Sequence, residues 1–150
     1  MKKSLGILGV ITITFILLSF RPEGVEISVI VNKGNPVTQL SAGEAKLYWL
    51  QKIKKRWPEI NKNIKPVDRK SKCPEQETFY SKVLNMNATD VETYFSQKQY
   101  ESAEKPQDKF PNDEAIISFV SEEQGAIGFV AASSLSASDK AKVKVVFTIE

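Results

Sequence analysis

Arg69, Ser71 and Lys72 stand within four positions of one another in the run Pro66-Val67-Asp68-Arg69-Lys70-Ser71-Lys72-Cys73-Pro74-Glu75. The run reads as the end of a strand, a short polar loop and a helix opening at proline, whose fixed φ and missing N–H suit a first helical turn. An arginine offers a planar, permanently charged fork of donors, and a helix N-terminus offers unpaired N–H groups with a partial positive charge. With the Ser71 hydroxyl and the Lys72 ammonium, these groups suit a small oxyanion. The chemistry implied is binding, without a covalent step.

Composition removes most catalytic alternatives. The sequence has no histidine, the commonest metal ligand and general base, and a single cysteine, Cys73. No internal disulfide can form, and no Cys–His nucleophile pair exists. Glu122 and Glu123 are adjacent, and adjacent positions on a helix do not face each other. The expectation is a protein that is not an enzyme and carries no metal or cofactor.

Lys2 and Lys3 precede an uncharged run from Leu5 to Phe20, and charge returns at Arg21 and Glu23. Basic, apolar, then polar is the order of a secretory signal. Leu18-Ser19-Phe20 is a poor cleavage site, so residues 1–22 read as a signal peptide or an uncleaved N-terminal anchor, and residues 23–150 as one domain. No cysteine ends the apolar run, which argues against a lipoprotein. Without residues 1–20, 19 basic residues oppose 18 acidic ones, a net charge near +1. Lys52, Lys54, Lys55 and Arg56 form a basic cluster without interleaved aromatics, which reads as a solvated helix end, and no nucleic-acid partner is expected.

The elements that must position the Arg69 loop alternate between strand and helix. Val25 to Val31 reads as a strand, closed by turn chemistry at Asn32-Lys33-Gly34-Asn35-Pro36, where Gly34 can take φ > 0. Ser41-Ala42-Gly43-Glu44 is a capping box, with Leu40 and Ala45 placed for a hydrophobic staple, and predicts a helix from Ala42 to Lys55. A short strand over Ile64–Val67, a helix over Glu75–Leu84 and a further helix from Asn87 follow. Residues 101–111 are polar, carry two prolines and read as a loop. Ala115, Ile116, Phe119 and Val120 form an amphipathic helical face, Gly125–Val130 a buried strand and Val143–Ile149 the last strand. The pattern predicts an α/β domain with a mixed sheet flanked by helices.

The order of these pieces resembles the phosphate-type periplasmic substrate-binding proteins, in particular their short single-domain relatives. The residues carrying the likeness are Val31-Asn32-Lys33 with Asn35-Pro36, Leu40-Ser41 with Glu44, Trp57-Pro58, Pro66-Val67-Asp68-Arg69, Phe79-Tyr80 with Val83-Leu84, and Gly125-Ala126-Ile127-Gly128-Phe129-Val130. The resemblance implies a type II periplasmic-binding-protein fold, or roughly one lobe of it. It also implies a family function of capturing phosphate for an ABC importer. In that family an arginine at the Arg69 position and a serine-glycine-threonine turn at a helix N-terminus hold the anion. Arg69 is kept, whereas Ser71, Lys72 and Cys73 replace the turn. Gln51 stands where the family has a helix-ending glycine, and the helix is expected to continue past it. The chain has little material for a second lobe, so weaker binding is expected.

Each of these residues also has a plainer role. Arg69 can be a surface arginine paired with Asp68 or a nearby glutamate, Ser71 an N-cap or turn residue, and Lys72 a solvated lysine. Asn32 and Gly34 can serve only their turn, although in this family that loop can face the cleft. Trp49, Trp57, Tyr94 and Phe95 have the spacing of core residues rather than of a sugar-stacking surface. The reading is an exported, periplasmic substrate-binding-like protein. It takes phosphate or a similar small oxyanion through Arg69, Ser71, Lys72, Asn32 and Gly34, and serves a membrane transporter or a sensing role. The alternative is an envelope protein-interaction or scaffold module that kept the fold and lost the ligand.

Overall fold

The computed structural model describes residues 24–53 and 56–150. The expected export segment, residues 1–22, and the cluster lysines Lys54 and Lys55 lie outside the described residues. The chain runs β1 (Ile27–Asn32), α1 (Ala42–Trp49), a small hairpin of β2 (Arg56–Trp57) and β3 (Lys62–Asn63), and β4 (Lys65–Arg69). Next come α2 (Pro74–Phe79), a π-helical turn (Tyr80–Leu84), α3 (Ala88–Ser102), β5 (Asp108–Phe110) and α4 (Asp113–Glu122). It ends with β6 (Ala126–Ala131), a 3-10 turn (Ala132–Ser134), α5 (Ala137–Lys140) and β7 (Val143–Ile149).

Five strands form one sheet in the order β5-β4-β6-β1-β7. β4 runs parallel to β5 and β6, while β1 runs antiparallel to β6 and β7. The sheet is therefore mixed and flanked by helices, as the alternation of elements predicts. Every residue of β6 is buried, and its alternating side chains divide the core in two. Ile127 and Phe129 join the helices α1, α2 and α3 on one face, whereas Ala126 and Val130 join α4 on the other.

The first core is aromatic. Phe79 stacks on Phe129 with ring centroids 4.2 Å apart, and Trp49 packs on Phe79 at 4.6 Å. Trp49 and Trp57 are almost fully buried, and each indole N–H meets a carbonyl, of Val67 at 3.0 Å and of Gly125 at 2.9 Å. They are core residues, as their spacing predicts. On the second face Gly128 lets α4 sit close: a Cβ there would lie 2.7 Å from Ile116 Cγ2.

Three local expectations are corrected. Helix α1 stops at Trp49 because Leu50 caps it and Gln51 adopts φ 53°. The Gln51 N–H bonds the Tyr48 carbonyl at 3.0 Å and the Lys52 N–H bonds the Leu47 carbonyl at 2.9 Å, the double closure of a Schellman motif. Gln51 thus takes the backbone conformation that a glycine would supply, and the helix does not continue past it. Gly34 is not at positive φ; its N–H bonds Asn32 Oδ1 at 2.8 Å and closes the turn that way. The segment 101–111 is not all loop: α3 extends to Ser102, and β5 pairs in parallel with β4. Helix α5 also forms, on a capping box of Ser136 and Asp139. Among the described residues no helix is long and apolar enough to cross a membrane.

Candidate functional site

Alternation along β4 decides where its polar residues point. Val67 belongs to the core beneath α4, so Arg69, two residues on, faces the same side, and Asp68 faces α2 and α3. Arg69 Nη1 forms an ion pair with Asp113 Oδ1, and the two side chains are only 11% and 8% exposed. Asp113 opens α4, where the partial positive charge of the helix N-terminus favours a carboxylate. Its second oxygen accepts the Ala131 N–H at 3.1 Å and the Ser134 hydroxyl at 2.6 Å. One carboxylate thus ties the ends of β4 and β6 to the start of α4.

This is the point where the connections part. After β4 the chain passes through α2 and α3 to β5 on one side, and then through α4 to β6 on the other. Ligands of open α/β sheets bind outside the carboxyl ends of the strands at such a switch point. Among the described residues only Nη1 of the Arg69 fork is hydrogen-bonded.

The loop that follows is short and solvent-facing. Ser71 and Lys72 are exposed, and Lys72 Nζ lies 3.1 Å from Glu77, with those side chains 73% and 57% exposed. A pair so solvated adds little stability and leaves the lysine free to reorient. Cys73 is the N-cap of α2, in extended conformation and without a side-chain cap bond. Burial, the largest influence, pushes its thiol upward in pKa, which keeps it protonated and unreactive.

On the other face of β4, Asp68 is buried and anchors the same loop. Its carboxylate accepts the Arg69 N–H at 2.7 Å, the Gln76 amide at 3.1 Å and the Tyr80 hydroxyl. Gln76 also donates to the Arg69 carbonyl at 3.1 Å. Burial, and then the Asp68 carboxylate, push the Tyr80 phenol far above its ordinary pKa, so it remains a donor. Arg69 is therefore not paired with Asp68 or a glutamate; its partner is Asp113, 44 positions away. Sequence alone did not point to Gln76, Tyr80, Asp113 and Ser134 as parts of this region. A carboxylate at Asp68, directly after the buried Val67, was the one signal that could have found them.

Arg69, Ser71 and Lys72 share one loop, with Arg69 turned to Asp113 of α4 and Lys72 to Glu77 of α2, and Asn32 and Gly34 lie apart from it. Asn32 Nδ2 donates to the Val120 and Ser121 carbonyls, both at 2.9 Å, and so closes the C-terminal end of α4. Arg69 meets the N-terminal end of that helix. Across the 10 residues of α4 the two ends are about 15 Å apart. Elsewhere, Glu123 pairs with Lys65 at 2.6 Å, and that hydrogen bond is the main reason its carboxyl sits below the usual range. Among the described residues no cluster of three or more Cys, Asp or Glu side chains could hold a metal ion.

No protein-family model and no curated protein matches the sequence. Solved structures match the fold. An ABC-type phosphate transport receptor from Vibrio cholerae superposes with a TM-score of 0.61 at 20% identity, over 81% of this chain and 46% of that one. A candidate phosphate ABC-transporter substrate-binding protein from Clostridium perfringens, with bound phosphate, gives 0.57 at 22% identity, over 81% and 45%. A candidate phosphate-binding protein from Planctomyces limnophilus gives 0.59 at 16%, over 82% and 42%. The chain resembles these proteins in fold and spans a little under half of their length.

Proposed function

We propose that this chain, with the fold of about half a phosphate-type substrate-binding protein, is an exported protein that binds phosphate or a similar small oxyanion without chemically altering it. The ligand sits outside the carboxyl end of β4. The free edge of the Arg69 guanidinium, the Ser71 hydroxyl, the Lys72 ammonium and the amides opening α2 point their positive charge at it. Asn32 and Gly34 take no part, because they sit at the opposite end of α4. The observation that carries this reading is Arg69 at the switch point of the sheet, its guanidinium fixed by Asp113 through one nitrogen only. Fixing the fork in advance lowers the ordering cost of binding. The fold neighbours support the choice of ligand, since one of them holds phosphate. The bound anion would be handed to a membrane transporter or reported to a sensing partner in the envelope.

Isothermal titration of the purified chain with inorganic phosphate tests this. A saturable isotherm is expected, weakened by about tenfold or more in the Ser71→Ala/Lys72→Ala double variant, whose exposed positions leave the fold intact. A flat titration at millimolar phosphate in folded protein overturns the reading, as does an unchanged isotherm in the double variant.

A second reading is favoured by one observation: Arg69 and Lys72 each already have a carboxylate partner, Asp113 and Glu77. On that reading the chain is an envelope protein-interaction module that kept the fold and lost the ligand. A flat phosphate titration together with a specific envelope partner recovered by the exported chain would select it.

A further inference from the structure

The face of β4 opposite Arg69 carries a feature that oxyanion binding does not use. A cavity of about 310 Å³ opens beside the carboxyl end of β4 and along β5, between α2 and α3, a size that suits small organic ligands. Asp68 and Lys109 lie in its wall, and they are register partners on the parallel strands, so their backbones stand about 4.8 Å apart.

Asp68 is 3% exposed and accepts hydrogen bonds from the Arg69 N–H, the Gln76 amide and the Tyr80 hydroxyl, all neutral donors. An ionised carboxylate can accept about four hydrogen bonds, and a buried charge ordinarily has an opposite charge beside it. Lys70 and Lys109 line the same cavity, yet among the described residues neither forms an ion pair with Asp68 or with any other carboxylate. Val91 and Phe95 of α3 add an apolar wall, Ser96 and Gln99 add polar groups, and Glu92 adds a second carboxylate that can share a ligand's ammonium.

We propose that this cavity binds a small zwitterion of the α-amino-acid class. The ammonium sits on the remaining lone pair of Asp68, the carboxylate on Lys109 and Lys70, and the ligand side chain along Val91 and Phe95. An α-amino acid carries its two charges on groups attached to one carbon, a spacing that register partners on neighbouring strands match. An inorganic anion would meet the lysines and be repelled by Asp68, and a metal cation would meet the reverse. The site lies on the other face of the sheet from the Arg69–Asp113 pair and does not depend on the oxyanion reading.

Titration of the purified chain with each genetically encoded amino acid, by calorimetry and thermal shift, tests the proposal. At least one should give a saturable isotherm and a raised melting temperature, and its N-acetyl and carboxamide derivatives should bind about tenfold more weakly or less well still. Lys109→Gln, on an exposed edge strand, should weaken the same ligand by about tenfold and leave the phosphate isotherm unchanged. Silence toward all of them at millimolar concentration overturns the proposal. So does binding that survives loss of either ligand charge, or binding unaffected by Lys109→Gln in protein whose circular dichroism is native.

Discussion

Asp68 and Arg69 are adjacent in sequence, but the strand turns them to opposite faces, so one carboxylate meets a phenol and an amide while the guanidinium meets Asp113. That Arg69, Ser71 and Lys72 share one loop was legible in the sequence because they are near neighbours in the chain. The partner of Arg69 was not, because it comes from the start of a helix far along the chain, and no local pattern links the two. That Asn32 and Gly34 lie at the other end of α4 from Arg69 was not legible for a related reason: a strand has two ends, and a sequence does not say on which side of the sheet each end falls. The Arg69–Asp113 pair makes a stability prediction. Removing one partner of a pair this buried strands the other charge, so Asp113→Asn should cost about 3 kcal/mol in urea denaturation, and a change near zero would show that the pair carries no weight. Tyr80 makes a pH prediction. Its folded pKa is raised, so its contribution is fully present below the ordinary tyrosine pKa of about 10 and is lost as pH rises above it. Tyr80→Phe should therefore flatten the alkaline limb of a stability–pH profile, and an identical limb in both proteins would contradict the buried phenol–carboxylate bond.

At the scale of elements, capping boxes and apolar periodicity located α1, α3, α4, β6 and β7, because those signals are local and strong. The end of α1 was not legible: the residue that terminates it is a glutamine, whose side chain gives no sign of a left-handed backbone. That conformation is disfavoured for any residue with a Cβ. Gln51→Gly should accordingly stabilise the protein by about 0.5–1 kcal/mol in urea denaturation, and destabilisation would mean that the Gln51 side chain outweighs the backbone strain. β5 escaped notice because its three residues show no apolar alternation; it forms because β4 offers a free edge. That short strand matters to the site, since the Lys70 N–H bonds the Phe110 carbonyl at 2.8 Å and holds the first residue of the loop.

At the scale of the whole molecule, the chain spans under half the length of the phosphate-binding structures it matches. The fold class was legible because the order of strand, helix and loop survives at low identity. On the proposed reading the anion sits at an exposed loop, where charge interactions are screened, so binding should fall as salt is added. The most direct test follows the backbone amides by two-dimensional NMR during a titration with inorganic phosphate. The account predicts saturable shifts concentrated at Arg69 through Cys73 and the first turn of α2, with Asn32 and Gly34 unmoved. Shifts centred on Asn32 and Gly34, or no shifts at millimolar phosphate, would contradict it.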